Sequence, residues 1–183
     1  MHVPVWGWIA IGAGAVLLIA AAVVGFILGW RELERRYLLR LVSRREAIDA
    51  VRQALEDVVM RLASGSDDML AHFATDPDAV ERRALHEVTF RAQLLADELD
   101  TMPLPKTLIP AADLLGDSAY AIAREAGKVH DDQLDEAAFD ALGSINLTAI
   151  SGTYAAAIRG VQHACERCGL AEDAAVYGGG LYL

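Results

Sequence analysis

The sequence predicts an all-α protein in which a single N-terminal transmembrane helix continues into a cytoplasmic helical bundle. Three observations favour this class. Residues 3–30 contain no Asp, Glu, Lys, Arg or His, and apolar residues recur at three- and four-residue steps through most of the remaining chain. No segment alternates apolar and polar residues as a half-buried strand does. The predicted parts are an anchor (1–30), a juxtamembrane amphipathic helix (31–64), an acidic helical bundle (66–170) and a flexible Gly-rich tail (171–183).

The N-terminal apolar run is long enough to cross a bilayer. As a helix rising about 1.5 Å per residue it spans roughly 40 Å, more than the ~30 Å of hydrocarbon. Trp6, Trp8 and Trp30 lie at its two ends, where aromatic rings favour the headgroup level. A secretory signal has a basic segment before an apolar core of about 7–15 residues, and this run has neither feature. We therefore expect a single-pass membrane protein.

The arginines that follow the run predict its orientation. Residues 1–30 contain no Lys or Arg, whereas residues 31–52 contain seven Arg and four acids. The positive-inside rule places the C-terminal body in the cytoplasm and the N-terminus outside. Fourteen Arg against two Lys, with abundant Ala, suggests a bacterial source and hence the plasma (inner) membrane. The early arginines either set topology alone or also contact anionic headgroups; they are Arg31, Arg35, Arg36 and Arg40.

Small residues follow one side of the anchor. They recur at steps of 3, 4, 7, 4 and 4, namely Gly7, Ala10, Gly14, Ala21, Gly25 and Gly29. In lipid there is little hydrophobic drive between helices, so small residues that permit close backbone approach favour association. This face predicts self-association or contact with a partner's transmembrane helix. The alternative is that Gly and Ala are simply common in membrane spans.

An amphipathic helix is predicted from Arg31 to Ala63. One stripe holds its apolar residues, which are Leu38, Leu41, Ile48, Val51, Leu55, Val58 and Leu62. Gly65 in a left-handed conformation is expected to end this helix, and Ser66 to cap a short helical piece over 69–74. Arg44 and Arg45 interrupt a strict heptad, which favours a bundle helix or a short coiled coil over a long zipper.

Three longer helices and one acidic helix are predicted beyond this point. Asp76 and Pro77 predict the start of a helix that runs to about Asp100 and buries Leu85, Val88, Ala92, Leu95 and Leu99. The Pro-rich stretch 102–110 predicts a stiff connector. An Ala-rich helix over 111–127 follows, with Leu115, Ala119, Ile122 and Ala126 on one side, and then an acidic helix over 131–142.

The last helix, over about 145–168, carries two stripes. The large one contains Leu147, Tyr154, Ile158, Val161 and Cys165, and the small one contains Gly152, Ala156, Gly160 and Ala164. Small residues at i, i+4 steps permit close packing, and the Ala-rich helix is the expected neighbour. Together these segments predict a bundle of the four-helix type.

Charge limits the partners of the C-terminal body. From Arg61 onward nine basic residues face twenty acidic ones, a balance of about −11. Such a body repels phosphate backbones, so we expect no nucleic acid partner. The acids over 131–140 are typical of a solvated helix face, although a basic partner would also fit them. The expected partners are membrane lipid, other membrane or cytoplasmic protein subunits, and a second copy of the chain.

One grouping could carry chemistry, His163-x-Cys165-x-x-Cys168. Such a Cys pair can bind zinc or act as a dithiol. It lies at the C-terminal end of its predicted helix, where the dipole disfavours a thiolate, and a closed zinc site needs a fourth ligand. The competing interpretation is that Cys165 is a small buried hydrophobe. No di-iron, P-loop, HExxH, GxSxG or EF-hand motif is present, so we expect neither enzymatic activity nor a cofactor.

The sequence therefore predicts a membrane-anchored helical scaffold or accessory subunit. It would bind or position partner proteins at the cytoplasmic face of a membrane complex. The alternative is a thiol-redox or zinc-dependent regulator that uses Cys165 and Cys168.

Overall fold

Helices account for all the regular structure that the computed structural model describes, which is the backbone of residues 5–170 and the side chains of residues 18, 19 and 21–170. In order they are α1 (Val5–Ala63), α2 (Asp67–Thr75), α3 (Val80–Thr101), α4 (Ile109–Ala126), α5 (Glu136–Gly143) and α6 (Leu147–Arg167). The all-α class is therefore confirmed. The tail over 171–183 lies outside this description. At Trp6, Gly7, Trp8, Ala10 and Gly14 the helical backbone is described but the side chains and their surroundings are not.

α1 is an unbroken helix of 59 residues with two different halves. In residues 18–30 the described apolar side chains are exposed, for example Leu18 (74%), Phe26 (69%) and Leu28 (60%). From Leu38 onward one stripe turns inward, and all seven residues predicted for it are buried. The amphipathic helix is therefore confirmed, because its three- and four-residue repeat places one face against the other helices.

The predicted membrane span falls largely outside the described side chains. Among the residues that are described, no helix combines the length and the apolar character that a bilayer crossing requires. The side chains of residues 1–17 are not described, so the span stays a prediction.

Four helices build the bundle, with α4 at its centre. α4 packs against α3, α6 and α1, and α1 also packs against α3 and α6. One continuous core joins them, and its largest fully buried side chains include Leu55, Leu85, Leu115, Ile122 and Val161. Each such side chain contributes about 1.5–3 kcal/mol when it leaves water. The second half of α1 therefore shares its core with residues 66–170.

The close approach of α6 to α4 occurs where the small stripe predicted it. A Cβ added at Gly160 would lie 2.6 Å from Leu114 Cδ1 and 3.7 Å from the Cα of Ala111. At Gly152 an added Cβ meets nothing within 4 Å. The small stripe is therefore used at its C-terminal part and not at its beginning.

Of the two helix boundaries predicted around α2, one is confirmed and the other is wrong. Ser66 caps α2 as expected, and its side chain accepts a hydrogen bond from the N–H of Met69. The start at Asp76 and Pro77 is wrong, because α3 begins at Val80. Asp76 instead ends α2, and its Oδ1 accepts a hydrogen bond from the N–H of Asp78 at 2.8 Å. This local turn competes with the helical pattern.

Two further local predictions are wrong. Gly65 does not adopt a left-handed backbone, and among the described glycines only Gly169 has a positive φ, of 67°. The acidic segment 131–142 is helical only from Glu136 onward. Asp135, which precedes it, has a φ of 52° and donates its N–H to the carbonyl of Ala74, so a contact with α2 overrides the local helical preference.

A buried arginine fixes the end of the bundle that contains α2. Arg82 donates from Nε to the carbonyl of Phe73 (2.6 Å), from Nη1 to that of His130 (3.1 Å) and from Nη2 to that of Gln133 (2.6 Å). Its guanidinium carbon lies 5.0 Å from the centre of the Phe73 ring. The charge is thus satisfied in the interior by backbone acceptors from two separate segments, as burial requires.

Candidate functional site

An apolar groove of about 500 Å³ runs along the surface between α1 and α3. Its lining is apolar and combines alanines with larger aliphatic residues. Val51, Val58, Val88 and Leu95 are buried at its base, Ala47 and Ala84 are half-buried, and Ala50, Ala54 and Leu94 are exposed at its rim. The groove exists because α1 carries a row of small residues beside its buried stripe, so the two helices do not fill the space between them.

Polar residues lie only at the edge of this groove. Arg91 Nε lies 2.5 Å from Glu87 Oε1, and both side chains are more than half exposed, so the pair contributes little to stability. Beyond Ala47 the two helices are joined by an ion pair, with Arg44 Nη2 2.5 Å from Glu98 Oε1. From Ala47 to Val58 the groove follows α1 for about three helical turns, or roughly 16 Å.

This shape suits a helical ligand. The small alanine side chains allow another backbone to approach closely, and the larger aliphatic residues can contact side chains spaced three and four residues apart. Leu94 and the neighbouring Phe90 are more than half exposed, which adds apolar surface beside the groove. Nothing in the sequence pattern alone led us to expect this site. Its signal was present as the steps of three and four residues between Ala47, Ala50 and Ala54.

The cysteine pair lies at the C-terminal end of α6. Cys165 is buried in the core and Cys168 is half-buried, and they do not form a disulfide. Burial, reinforced by the charge of Glu34 and opposed by Arg167, raises the pKa of the Cys168 thiol. That thiol is therefore protonated at neutral pH and is a weak nucleophile.

His163 does not join the cysteines. Its side chain is exposed, with Nδ1 3.7 Å from Glu166 Oε2, whereas Cys165 points into the core. Within the described residues no three His, Cys, Asp or Glu side chains are grouped so that they could hold a metal ion. The burial of Cys165 agrees with its interpretation as a small hydrophobe, and the regulator alternative stays a prediction.

The described part of the small-residue face lies on an open surface. Ala21, Gly25 and Gly29 are exposed, and a Cβ added at either glycine meets nothing within 4 Å. These positions therefore make no close contact with the other described segments, and a partner for this face stays a prediction.

The four predicted topology arginines are all exposed on α1. Arg36 Nε lies 3.3 Å from Glu32 Oε1, and the guanidinium of Arg40 lies 5.5 Å from the centre of the Tyr37 ring. Arg31 and Arg35 project from the helix just beyond Trp30. Their side chains are available to a charged surface.

No family model matches this chain, and no curated protein or solved structure shows significant similarity to it. In the part of the chain that the structure describes, the distinctive features are surfaces. They are the apolar groove, the exposed apolar half of α1 and the arginines that separate the two.

Proposed function

We propose that the protein is a membrane-anchored helical scaffold or accessory subunit that holds a partner protein at the cytoplasmic face of a membrane. The groove between α1 and α3 binds an amphipathic helix of that partner. The observation that carries the proposal is the apolar lining of the groove, with its row of alanines along α1.

The composition of the groove supports a helix as its occupant. The three turns of open groove match the i, i+3, i+4, i+7 anchors that amphipathic helices present. Burial of apolar surface there stabilises the complex by about 25 cal/mol per Å². At the edge, Glu87 and Arg91 offer charges of both signs to the polar flank of such a helix.

The N-terminal run supports the anchor. Residues 3–30 contain no charged side chain, and the described apolar residues from Leu18 onward project from the helix instead of packing in the bundle. A lipid environment would cover them. The arginines from Arg31 onward then keep the bundle in the cytoplasm and the N-terminus outside. Ala21, Gly25 and Gly29 make lateral contacts with a second copy or with a partner's transmembrane helix.

Site-specific photo-crosslinking tests the groove. A photoreactive amino acid replaces Ala54 in the full chain, which is expressed in the cells that normally produce it. A matched control variant carries the same amino acid at Gln53, an exposed neighbour outside the groove lining. We expect a discrete product from position 54 and not from position 53. Mass spectrometry should place the link on the apolar face of a partner helix. Adding Ala50→Leu places a larger side chain in the groove and should reduce the product about tenfold, as expected for a misfit of about 1.4 kcal/mol.

Two results would contradict the proposal. Equal labelling from positions 53 and 54, or a yield that Ala50→Leu leaves unchanged, excludes the groove as the binding surface. An alkaline carbonate wash of the same membranes tests the anchor. Release of the protein into the soluble fraction excludes a membrane span. Ala50 is exposed, so circular dichroism should show that its replacement preserves the fold.

A further inference from the structure

Three distant segments meet at the end of the bundle nearest to Trp30. Thr107 Oγ1 donates a hydrogen bond to Glu34 Oε1 at 2.7 Å, and Trp30 Nε1 donates to the same oxygen at 3.2 Å. Arg167 Nη2 donates to the carbonyl of Thr107. These contacts place the α3–α4 connector and the C-terminal end of α6 level with Glu34 on α1.

No linker separates this end of the bundle from the apolar half of α1. Glu34 follows Trp30 by four residues, which is about 6 Å along a continuous helix. The headgroup layer on each side of a bilayer is about 5–8 Å thick. With Trp30 at the interface, the end of the bundle therefore lies against the headgroups.

The charges at this end differ in sign from the protein as a whole. Its basic side chains are all exposed and come from three segments, and they are Arg31, Arg35, Arg36, Arg40, Lys106 and Arg167. Of the neighbouring acids, Glu32 pairs with Arg36, Glu34 accepts from Thr107 and Trp30, and Glu166 lies 3.7 Å from His163, whereas Asp100 and Asp113 are exposed. Among the described residues this end therefore has six basic and five acidic side chains, whereas the chain as a whole carries a net charge of −10.

Apolar side chains accompany these cations. Leu33 of α1 and Ile109 at the start of α4 are both exposed. Basic residues beside exposed aliphatic ones are the composition that binds at an anionic membrane interface.

We infer that this end of the bundle is a binding surface for anionic phospholipid headgroups. The inference rests on the proposed anchor and extends it, because the fold adds Lys106 and Arg167 to the arginines of α1. The bundle then sits directly on the membrane, joined to the apolar half of α1 without a break in the helix. The groove then begins about 25 Å beyond Trp30, which leaves it open to a cytoplasmic partner.

Fluorescence quenching in nanodiscs tests this surface with the full chain. In a Cys168→Ser background, Pro110→Cys carries a fluorophore beside Ile109, and Asp132→Cys carries it near the opposite end of the bundle. The discs contain lipid with a spin label on the headgroup, in either pure phosphatidylcholine or a mixture with phosphatidylglycerol. We expect quenching at position 110 and not at position 132, with at least about a twofold increase in anionic discs.

Charge reversal tests the role of the two added cations. Lys106→Glu with Arg167→Glu should abolish the increase in anionic discs. Arg61→Glu with Arg83→Glu makes the same change of net charge at exposed positions near the other end of the bundle and should leave the increase intact. Equal behaviour of the two double variants overturns the inference.

The quenching of Trp30 separates this inference from the proposed anchor. It is measured in a chain with Trp6→Phe and Trp8→Phe, so that one tryptophan remains. Quenching of Trp30 without quenching at position 110 overturns the lipid-binding surface and leaves the anchor standing. Absence of quenching at Trp30 overturns the anchor itself.

Discussion

The two halves of α1 differ in what covers their apolar side chains. Residues 38–62 carry a single apolar stripe with polar residues on the other faces, and α3, α4 and α6 cover that stripe. Residues 18–30 are apolar on every face, and their described side chains remain exposed. A helix that is apolar all round needs an apolar surrounding, whereas an amphipathic helix needs only a neighbour. The apolar side chains of one half are therefore covered by the protein's own helices, whereas those of the other half require an apolar environment.

The distribution of aromatic residues allows the two halves to be measured separately. All three tryptophans lie within the first 30 residues, whereas Tyr37, Tyr120 and Tyr154 lie in the bundle. Tryptophan emission therefore reports on the apolar half. Circular dichroism sums the helices of both halves, so a loss of helix without a change in tryptophan emission is assigned to the bundle.

The largest expected difference comes from shortening one leucine in each half. Leu55→Ala removes a fully buried side chain and should destabilise the bundle by about 3 kcal/mol. Leu28→Ala removes an exposed one and should leave bundle stability unchanged. Chemical denaturation of the detergent-purified protein, followed by circular dichroism, measures both. Equal losses would show that the two halves share one cooperative core.

Replacing one glycine in each half with isoleucine is expected to have an effect of intermediate size. Gly160→Ile pushes against Leu114 and the backbone of Ala111 and should cost about 2 kcal/mol through overpacking. Gly25→Ile meets open space and should leave the bundle intact, but it should weaken self-association in a membrane two-hybrid assay. An unchanged two-hybrid signal would count against the small-residue face, and an unchanged melting point for Gly160→Ile against the α4–α6 packing.

The smallest expected effect is pH-dependent and confined to the bundle. Burial alone raises the pKa of the Glu125 carboxyl, but hydrogen bonds from Lys128 Nζ, the N–H of Asn146 and Arg124 outweigh it, so the pKa lies below its ordinary value of 4.5. A lowered pKa stabilises the fold above pH 4.5, and this stabilisation is lost as the pH falls through the folded-state pKa.

Glu125→Gln should therefore cost about 1 kcal/mol at pH 7 and make stability less sensitive to acid. Denaturation curves at pH 7, 5 and 3.5 measure the difference between the variant and the native chain. Parallel pH profiles for the two proteins would contradict the assigned role of Glu125. Tryptophan emission should not change, because the apolar half lies away from this carboxylate.

The periodicity of apolar residues made most of the helices predictable. Features that depend on contacts between distant segments could not be predicted from the sequence. The stripe from Leu38 to Leu62 was predictable because a helix repeats its own pattern in sequence. The start of α3 was not, because a side-chain hydrogen bond at Asp76 ends the preceding helix first. Nothing local indicated that Arg82 is buried, since its acceptors at His130 and Gln133 lie about fifty residues away.

The candidate site was harder to predict than the fold. A groove depends on how far apart two helices lie, and Ala47, Ala50 and Ala54 carry that information only together with their neighbours on α3. The cysteine pair was visible in the sequence. Its burial and the raised pKa of Cys168 became evident only from the packing of α6.

The continuity of α1 fixes the direction in which the groove faces. Seventeen residues separate Trp30 from Ala47, and each turns the helix by about 100° and advances it by about 1.5 Å. One residue inserted after Arg31 would swing the groove by about 100° around the helix axis. Seven would restore its azimuth to within about 20° and raise it by roughly 10 Å. The number of residues between Trp30 and Ala47 thus sets the rotation of a bound partner about the helix axis. It also sets the distance of that partner from the membrane.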